Sequence, residues 1–97
     1  MTLRFIDGNQ RVITVDKPMR LVSVSTLVDR VDVTADPNNT GDIYIGGSTV
    51  SAVSKDRRGR RLRPGDTATY ENVDLFDIWI DAATANDYVF WGGDKNE

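Results

Sequence analysis

Residues 39–65, NTGDIYIGGSTVSAVSKDRRGRRLRPG, decide how the rest of the chain is read. They hold a turn, a short alternating strand over residues 42–45 that ends in Gly46-Gly47, and a second alternating run over residues 50–53. A dense arginine run and a Pro-Gly turn follow. Side chains alternate sides along an extended chain, so Ile43 and Ile45 share one face and can be buried together. Gly tolerates positive φ and Pro fixes φ, so these residues punctuate the strands.

Toward the N-terminus, residues 3–6 read as a strand halted by Asp7-Gly8-Asn9, and residues 11–15 as its hairpin partner before Asp16-Lys17-Pro18. Residues 19–26 place Leu21, Ser23 and Ser25 on one face and Val22, Val24 and Thr26 on the other. Val31 and Val33 alternate with Asp32 and Thr34, which lets one face be buried. The Asp-Pro-Asn-Asn-Thr-Gly cluster over residues 36–41 is a strong breaker.

Toward the C-terminus, residues 67–70 are rich in β-formers. Residues 75–80 are the most hydrophobic strand, with Phe76, Ile78 and Ile80 on one face and Leu75, Asp77 and Trp79 on the other. Large side chains on both faces predict a central strand, or an outer face covered by a partner. Residues 87–91 close the pattern. Residues 1–8 and 92–97 read as loose tails. No segment sustains a helical period for three turns. About eight short strands predict one all-β domain over residues 1–97, a small antiparallel β-sandwich or jelly-roll-like barrel.

Composition narrows the chemistry. A chain of 97 residues has a modest core. It lacks cysteine, which excludes disulfides and thiolate metal sites, and it lacks histidine, which removes the usual general base and the commonest zinc ligand. An enzyme is therefore disfavoured and no cofactor is expected. The N-terminus lacks the unbroken apolar run of a signal peptide, and no segment approaches the roughly twenty apolar residues of a membrane span. A soluble chain with no membrane partner is the expectation.

Charge is uneven. Lys55, Arg57, Arg58, Arg60, Arg61 and Arg63, with Asp56, give a net +5 within nine residues, which leaves −8 on the rest of a chain of net charge −3. Arginine forks grip carboxylate and phosphate oxygens in pairs, so these six cations are the candidate partner-binding residues. A solvated loop is the plainer alternative. No aromatic residue interleaves with the arginines and the overall balance is acidic, which disfavours nucleic acid.

Three further patterns have a plain reading beside a functional one. Residues 36–43 copy the oxygen spacing of the first half of a calcium loop, but Gly47 stands where the bidentate Glu is due, so a turn is the better reading. Asp74, Asp77 and Asp81 could pair for acid–base work, yet charged residues on the wet side of a sheet are the ordinary explanation. Asn38-Asn39-Thr40 matches a glycosylation acceptor, without a secretion signal to give it context. Trp79, a large aromatic on a face that one sheet would leave wet, points to self-association through Leu75, Asp77 and Trp79.

Three segments in order resemble a pattern found in small tailed-bacteriophage virion proteins: NTGDIYIGGSTVS over residues 39–51, LRPGD over 62–66 and LFDIWI over 75–80. The resemblance implies a compact β-sandwich or barrel that serves as a capsid decoration (cement) protein or head-fibre base, often trimeric. It also implies the major capsid protein as partner, and a place on the capsid surface of a virion assembled in the host cytoplasm. A tail, baseplate or fibre module for host attachment would use the same fold, with Trp79, Tyr88, Phe90 or Trp91 exposed for sugar stacking.

Overall fold

The computed structural model describes residues 3–12, 15 and 17–96. Its strands are β1 (Leu3–Arg11), β2 (Met19–Arg20), β3 (Leu27–Ala35), β4 (Ile43–Gly46), β5 (Arg60–Leu62), β6 (Thr67–Asp74), β7 (Trp79–Ala82) and β8 (Tyr88–Asn96). A short 3-10 helix, Leu75–Asp77, separates β6 from β7. Two antiparallel four-stranded sheets result, ordered β1-β8-β3-β6 and β2-β7-β4-β5. The first strand lies beside the last, the third beside the sixth, the second beside the seventh and the fourth beside the fifth. The chain is thus a long hairpin doubled back between β4 and β5 and rolled into two layers, the order of a jelly roll. The expected all-β sandwich is what the residues form.

The core lies between the sheets. Val31, Val33 and Ala35 of β3, with Val89 and Trp91 of β8, face Ile43 and Ile45 of β4 and Ile80 and Ala82 of β7 across the two layers. The alternation seen at Val31 and Val33 is real, since Asp32 and Thr34 between them lie on the outer side, half-buried. Burying such branched side chains contributes roughly 25 cal/mol per Å² of apolar surface removed from water.

Several boundaries differ from the sequence reading, each for a physical reason. Asp7-Gly8-Asn9 is no turn: β1 runs through it and pairs with β8 from Leu3 opposite Asn96 to Arg11 opposite Tyr88. Gly8 sits directly opposite Trp91, and a Cβ there would lie 2.5 Å from the indole ring. Its absence lets the ring lie flat against the strand, and the Trp covers the backbone that the glycine leaves bare. The termini expected to be loose are therefore the two paired strands β1 and β8, from Leu3 to Asn96. The hairpin partner expected over residues 11–15 includes Ile13 and Thr14, which, with Asp16, lie outside the described residues.

The strand expected over residues 19–26 is confined to Met19 and Arg20. Beyond it the backbone bonds to the turn after β6: Leu21 N–H donates to Ile78 O (2.8 Å) and Leu75 N–H to Thr26 O (2.9 Å). The strand expected over residues 75–80 is broken by the 3-10 turn. Asp74 causes this, because its carboxylate accepts from Phe76 N–H (2.9 Å), Thr26 N–H (2.7 Å) and the Ser25 hydroxyl. In a 3-10 turn, side chains three apart eclipse. Leu75 and Ile78 consequently both enter the core, where strict alternation would have placed them on opposite faces.

Candidate functional site

Lys55, Arg57 and Arg58, the first half of the basic run, belong to a folded flap over residues 47–59, and Arg60, Arg61 and Arg63 continue it along β5 and into the turn beyond. Leaving β4 at Gly46, the chain turns with Val50 N–H donating to Gly47 O (3.0 Å) and drops Val50 and Ala52 onto the outer face of the β2-β7-β4-β5 sheet. There they bury Tyr44 and pack against Trp79, forming a second, smaller apolar cluster. The outer face expected to need a partner is thus covered in part by the chain itself. No strand forms over residues 50–53; the backbone makes one bridge, Ser51 N–H to Arg58 O (3.0 Å) and Arg58 N–H to Ser51 O (2.9 Å).

Two residues fasten the flap. Asp81 of β7 is fully buried, and its two carboxylate oxygens accept from Ala52 N–H (2.8 Å) and Ala82 N–H (2.9 Å). Gly59 closes the return at φ +103°, where a Cβ would stand 2.8 Å from Ile45 O and 2.6 Å from Val50 Cγ2. Only glycine combines that backbone conformation with that approach.

All six predicted partner-binding cations are exposed. Lys55 lies at the tip with φ 74°, and Arg58 is paired to Asp56 at 3.1 Å. Arg57 lies over the Tyr44 ring, 5.8 Å from its centroid. Arg61 of β5 bonds through Nε to Asp42 Oδ2 at 2.7 Å. Arg60, on the other face of β5, reaches toward Tyr70 and partly offsets the upward pKa shift that burial gives that hydroxyl. Arg63 follows β5 in the turn where its N–H donates to Asp66 Oδ2 (2.9 Å). The flap and β5 therefore gather the six side chains at one edge of the sandwich.

The predicted self-association face does not exist as drawn. Leu75 is 1% exposed and belongs to the core, Asp77 is exposed on the 3-10 turn, and Trp79 is half-buried beside the flap. Broken alternation separates them. The structure instead shows an arginine that no local pattern announced: the Arg20 guanidinium stacks 3.8 Å from the Phe76 centroid and 4.6 Å from that of Trp79, while Nη1 donates to Phe76 O at 2.5 Å. Phe76 and Trp79 are three apart, so the turn aims both rings at one spot.

The acidic candidates separate as well. Asp74 caps the turn, and its pKa is lowered, first by the Ser25 hydroxyl and then by the Phe76 and Thr26 N–H groups. Asp77 is in water, and Asp81 is not on a wet face at all but buried beneath the flap. The loop over residues 36–42 is a turn tied to β8. Asn39 bonds Tyr88 reciprocally, Nδ2–H to Tyr88 O (2.9 Å) and Tyr88 N–H to Oδ1 (3.0 Å), as a strand neighbour would. Asp87 accepts from Thr40 N–H (2.9 Å) and Gly41 N–H (2.8 Å), and Asp36 accepts from Asn38 N–H (2.8 Å). Asp36 also raises the pKa of the Tyr88 hydroxyl. Among the described residues no group of three acidic side chains is placed to hold a cation.

A concavity of about 390 Å³ lies between the ends of β3, β6 and β8, lined by Leu27, Val28, Asp29, Asn72 and Lys95. Of the aromatics considered for sugar stacking, Trp91 is only 8% exposed and belongs to the core, whereas Phe90 is 41% exposed. Comparison with protein-family models, with curated proteins and with solved structures returns no match.

Proposed function

We propose that this domain is a non-enzymatic accessory protein of a tailed-bacteriophage virion, which decorates and stabilises the capsid by binding the major capsid protein, as a homotrimer. The observation that carries the reading is the flap. A loop made only soluble by its charge needs no apolar cluster of its own and no buried carboxylate to hold it down. A loop that must present cations in a fixed arrangement does, because ordering the side chains beforehand lowers the entropy lost on docking. The ordered resemblance of residues 39–51, 62–66 and 75–80 to phage virion proteins supplies the biological setting. Jelly rolls include viral capsid domains, which agrees by analogy of fold alone.

In this role the protein contributes buried area at junctions between capsid subunits, and many weak copies hold together through avidity. Arg57, Arg58, Arg60, Arg61 and Arg63, with Lys55, grip an acidic strip on the shell. The test measures copies bound per capsid for the wild-type protein and for a variant with Arg57, Arg60 and Arg63 changed to Ser, across a salt series. Lower occupancy and a flatter salt dependence in the variant support the reading, and equal occupancy overturns it. A tail or fibre module is the second reading, favoured by the exposed Phe90. Copies per virion separate the two: hundreds mean capsid, a handful means tail.

A further inference from the structure

We propose that the outer face of the β1-β8-β3-β6 sheet is an acceptor for the arginine flap of a second copy of this chain, so that copies join flap to sheet. The proposal rests on the reading of the flap as a docking element and names one of its partners. Register places Phe5, Asp7 and Asn9 of β1, Phe90 and Asp94 of β8, Arg30 and Asp32 of β3, and Glu71 of β6 on this face. Its carboxylates outnumber its guanidinium groups. Arg30 is already turned to Asp32 at 3.7 Å, and Arg11 stands at the far end near Tyr88. Asp7 and Glu71 are exposed and Asp94 half-buried.

Two large rings on this face remain accessible among the described residues. Phe5 is 78% exposed and Phe90 41% exposed, although the other side of the same strands is well packed. Phe5 lies opposite Asp94 with Asp7 next on its own face, and Phe90 lies one pair from Asp7 and Asp32. Exposed rings near carboxylates are the chemistry an arginine-rich segment fits, the guanidinium plane stacking on the ring while its N–H groups fork to the acids. The flap and β5 together offer the complement, with five arginines and a lysine at the opposite sheet's edge. Donor and acceptor are different surfaces of one molecule, so the contact is head-to-tail, and its rotation decides between a closed ring and an open row. This places self-association where charge and exposed aromatic surface coincide, away from the buried Leu75.

Sedimentation velocity of the full chain over a concentration series, at low and high salt, tests the proposal. Wild-type protein is expected to associate at low salt and to weaken roughly tenfold or more on addition of salt, as contacts between exposed charges do. Reversal of the basic edge formed by the flap and β5 (Arg57→Glu, Arg60→Glu, Arg63→Glu) or of the face (Asp7→Lys, Glu71→Lys, Asp94→Lys) should each leave a folded monomer. Combining both sets in one chain should restore association, since the attraction is then rebuilt with the signs exchanged. Far-UV circular dichroism and a thermal melt establish that each variant is folded, and a charge-neutral set (Asp7→Asn, Glu71→Gln, Asp94→Asn) with the same loss of association serves if a reversed set does not fold. A wild-type monomer at every concentration overturns the proposal, as does association that survives reversal of either surface or fails to return in the combined chain. Capsid binding that persists in a monomeric wild-type protein would sink this contact alone and leave the decoration role standing.

Discussion

The carboxylate of Asp81, at the centre of β7, accepts a 2.8 Å hydrogen bond from the backbone N–H of Ala52, twenty-nine residues earlier in the chain. Nothing of that carboxylate is exposed. A charge removed from water is tolerated only when its oxygens are satisfied, and here two backbone N–H groups do this. The same bond pins the flap to the sheet, so a carboxyl group buried beneath the flap governs a surface element.

Removing Asp81 should free the flap before it unfolds the domain. In Asp81→Ala the N–H groups of Ala52 and Ala82 lose their acceptor, which costs about 1–3 kcal/mol for a buried unsatisfied group. Limited trypsin digestion is expected to cut within residues 55–61 faster than in the wild type, ahead of any global transition in a thermal melt. An unchanged cleavage rate would mean that the apolar cluster alone holds the flap.

Gly59 and Gly47 should respond unequally to the same substitution. Gly59→Ala forces a Cβ toward Ile45 O at a φ of +103° and should destabilise by about 1–3 kcal/mol. Gly47→Ala meets nothing within 4 Å and should be nearly neutral. Equal urea midpoints for the two variants would contradict the close approach.

Arg20 should not be replaceable by lysine. Its planar fork stacks on Phe76 and Trp79 and donates to Phe76 O together, and an ammonium cannot do both. Arg20→Lys is expected to cost about 1 kcal/mol and to alter the Trp79 contribution to fluorescence. Identical spectra and stability would reduce the stack to coincidence.

Acid should loosen the turn after β6. The Asp74 pKa is lowered in the folded state, so its contribution is fully present above the ordinary aspartate value of 3.8 and is lost as pH falls through the lowered one. Asp74→Ala should therefore be less stable than the wild type at neutral pH, with the difference closing in acid. A difference that stays constant down the pH series would exclude this origin.

Much of the fold was legible along the chain. Ile43 with Ile45 and Val31 with Val33 announce half-buried strands because a period of two follows from backbone geometry. The breaker over residues 36–41 reads as a turn from residue type alone, and the structure adds Asn39 and Asp87 as its ties to β8. Of the candidate site, the six cations were legible as a cluster because they fall within nine residues of sequence. The Leu75, Asp77 and Trp79 face was misread because alternation assumes that the strand continues, and the cap that ends it comes from Asp74 together with Ser25 and Thr26, some fifty residues away.

Local chemistry by itself determined that this chain forms short antiparallel strands around a branched aliphatic core and carries its positive charge in one place. Only the tertiary structure decided that Asp7-Gly8-Asn9 is strand, since that depends on Trp91 lying opposite, and that Lys55, Arg57 and Arg58 stand on a fastened flap beside the arginines of β5, since that depends on a buried Asp81. The reason is the same in both cases. Propensity and periodicity act between neighbours in sequence, whereas close packing and the satisfaction of buried polar groups act between neighbours in space.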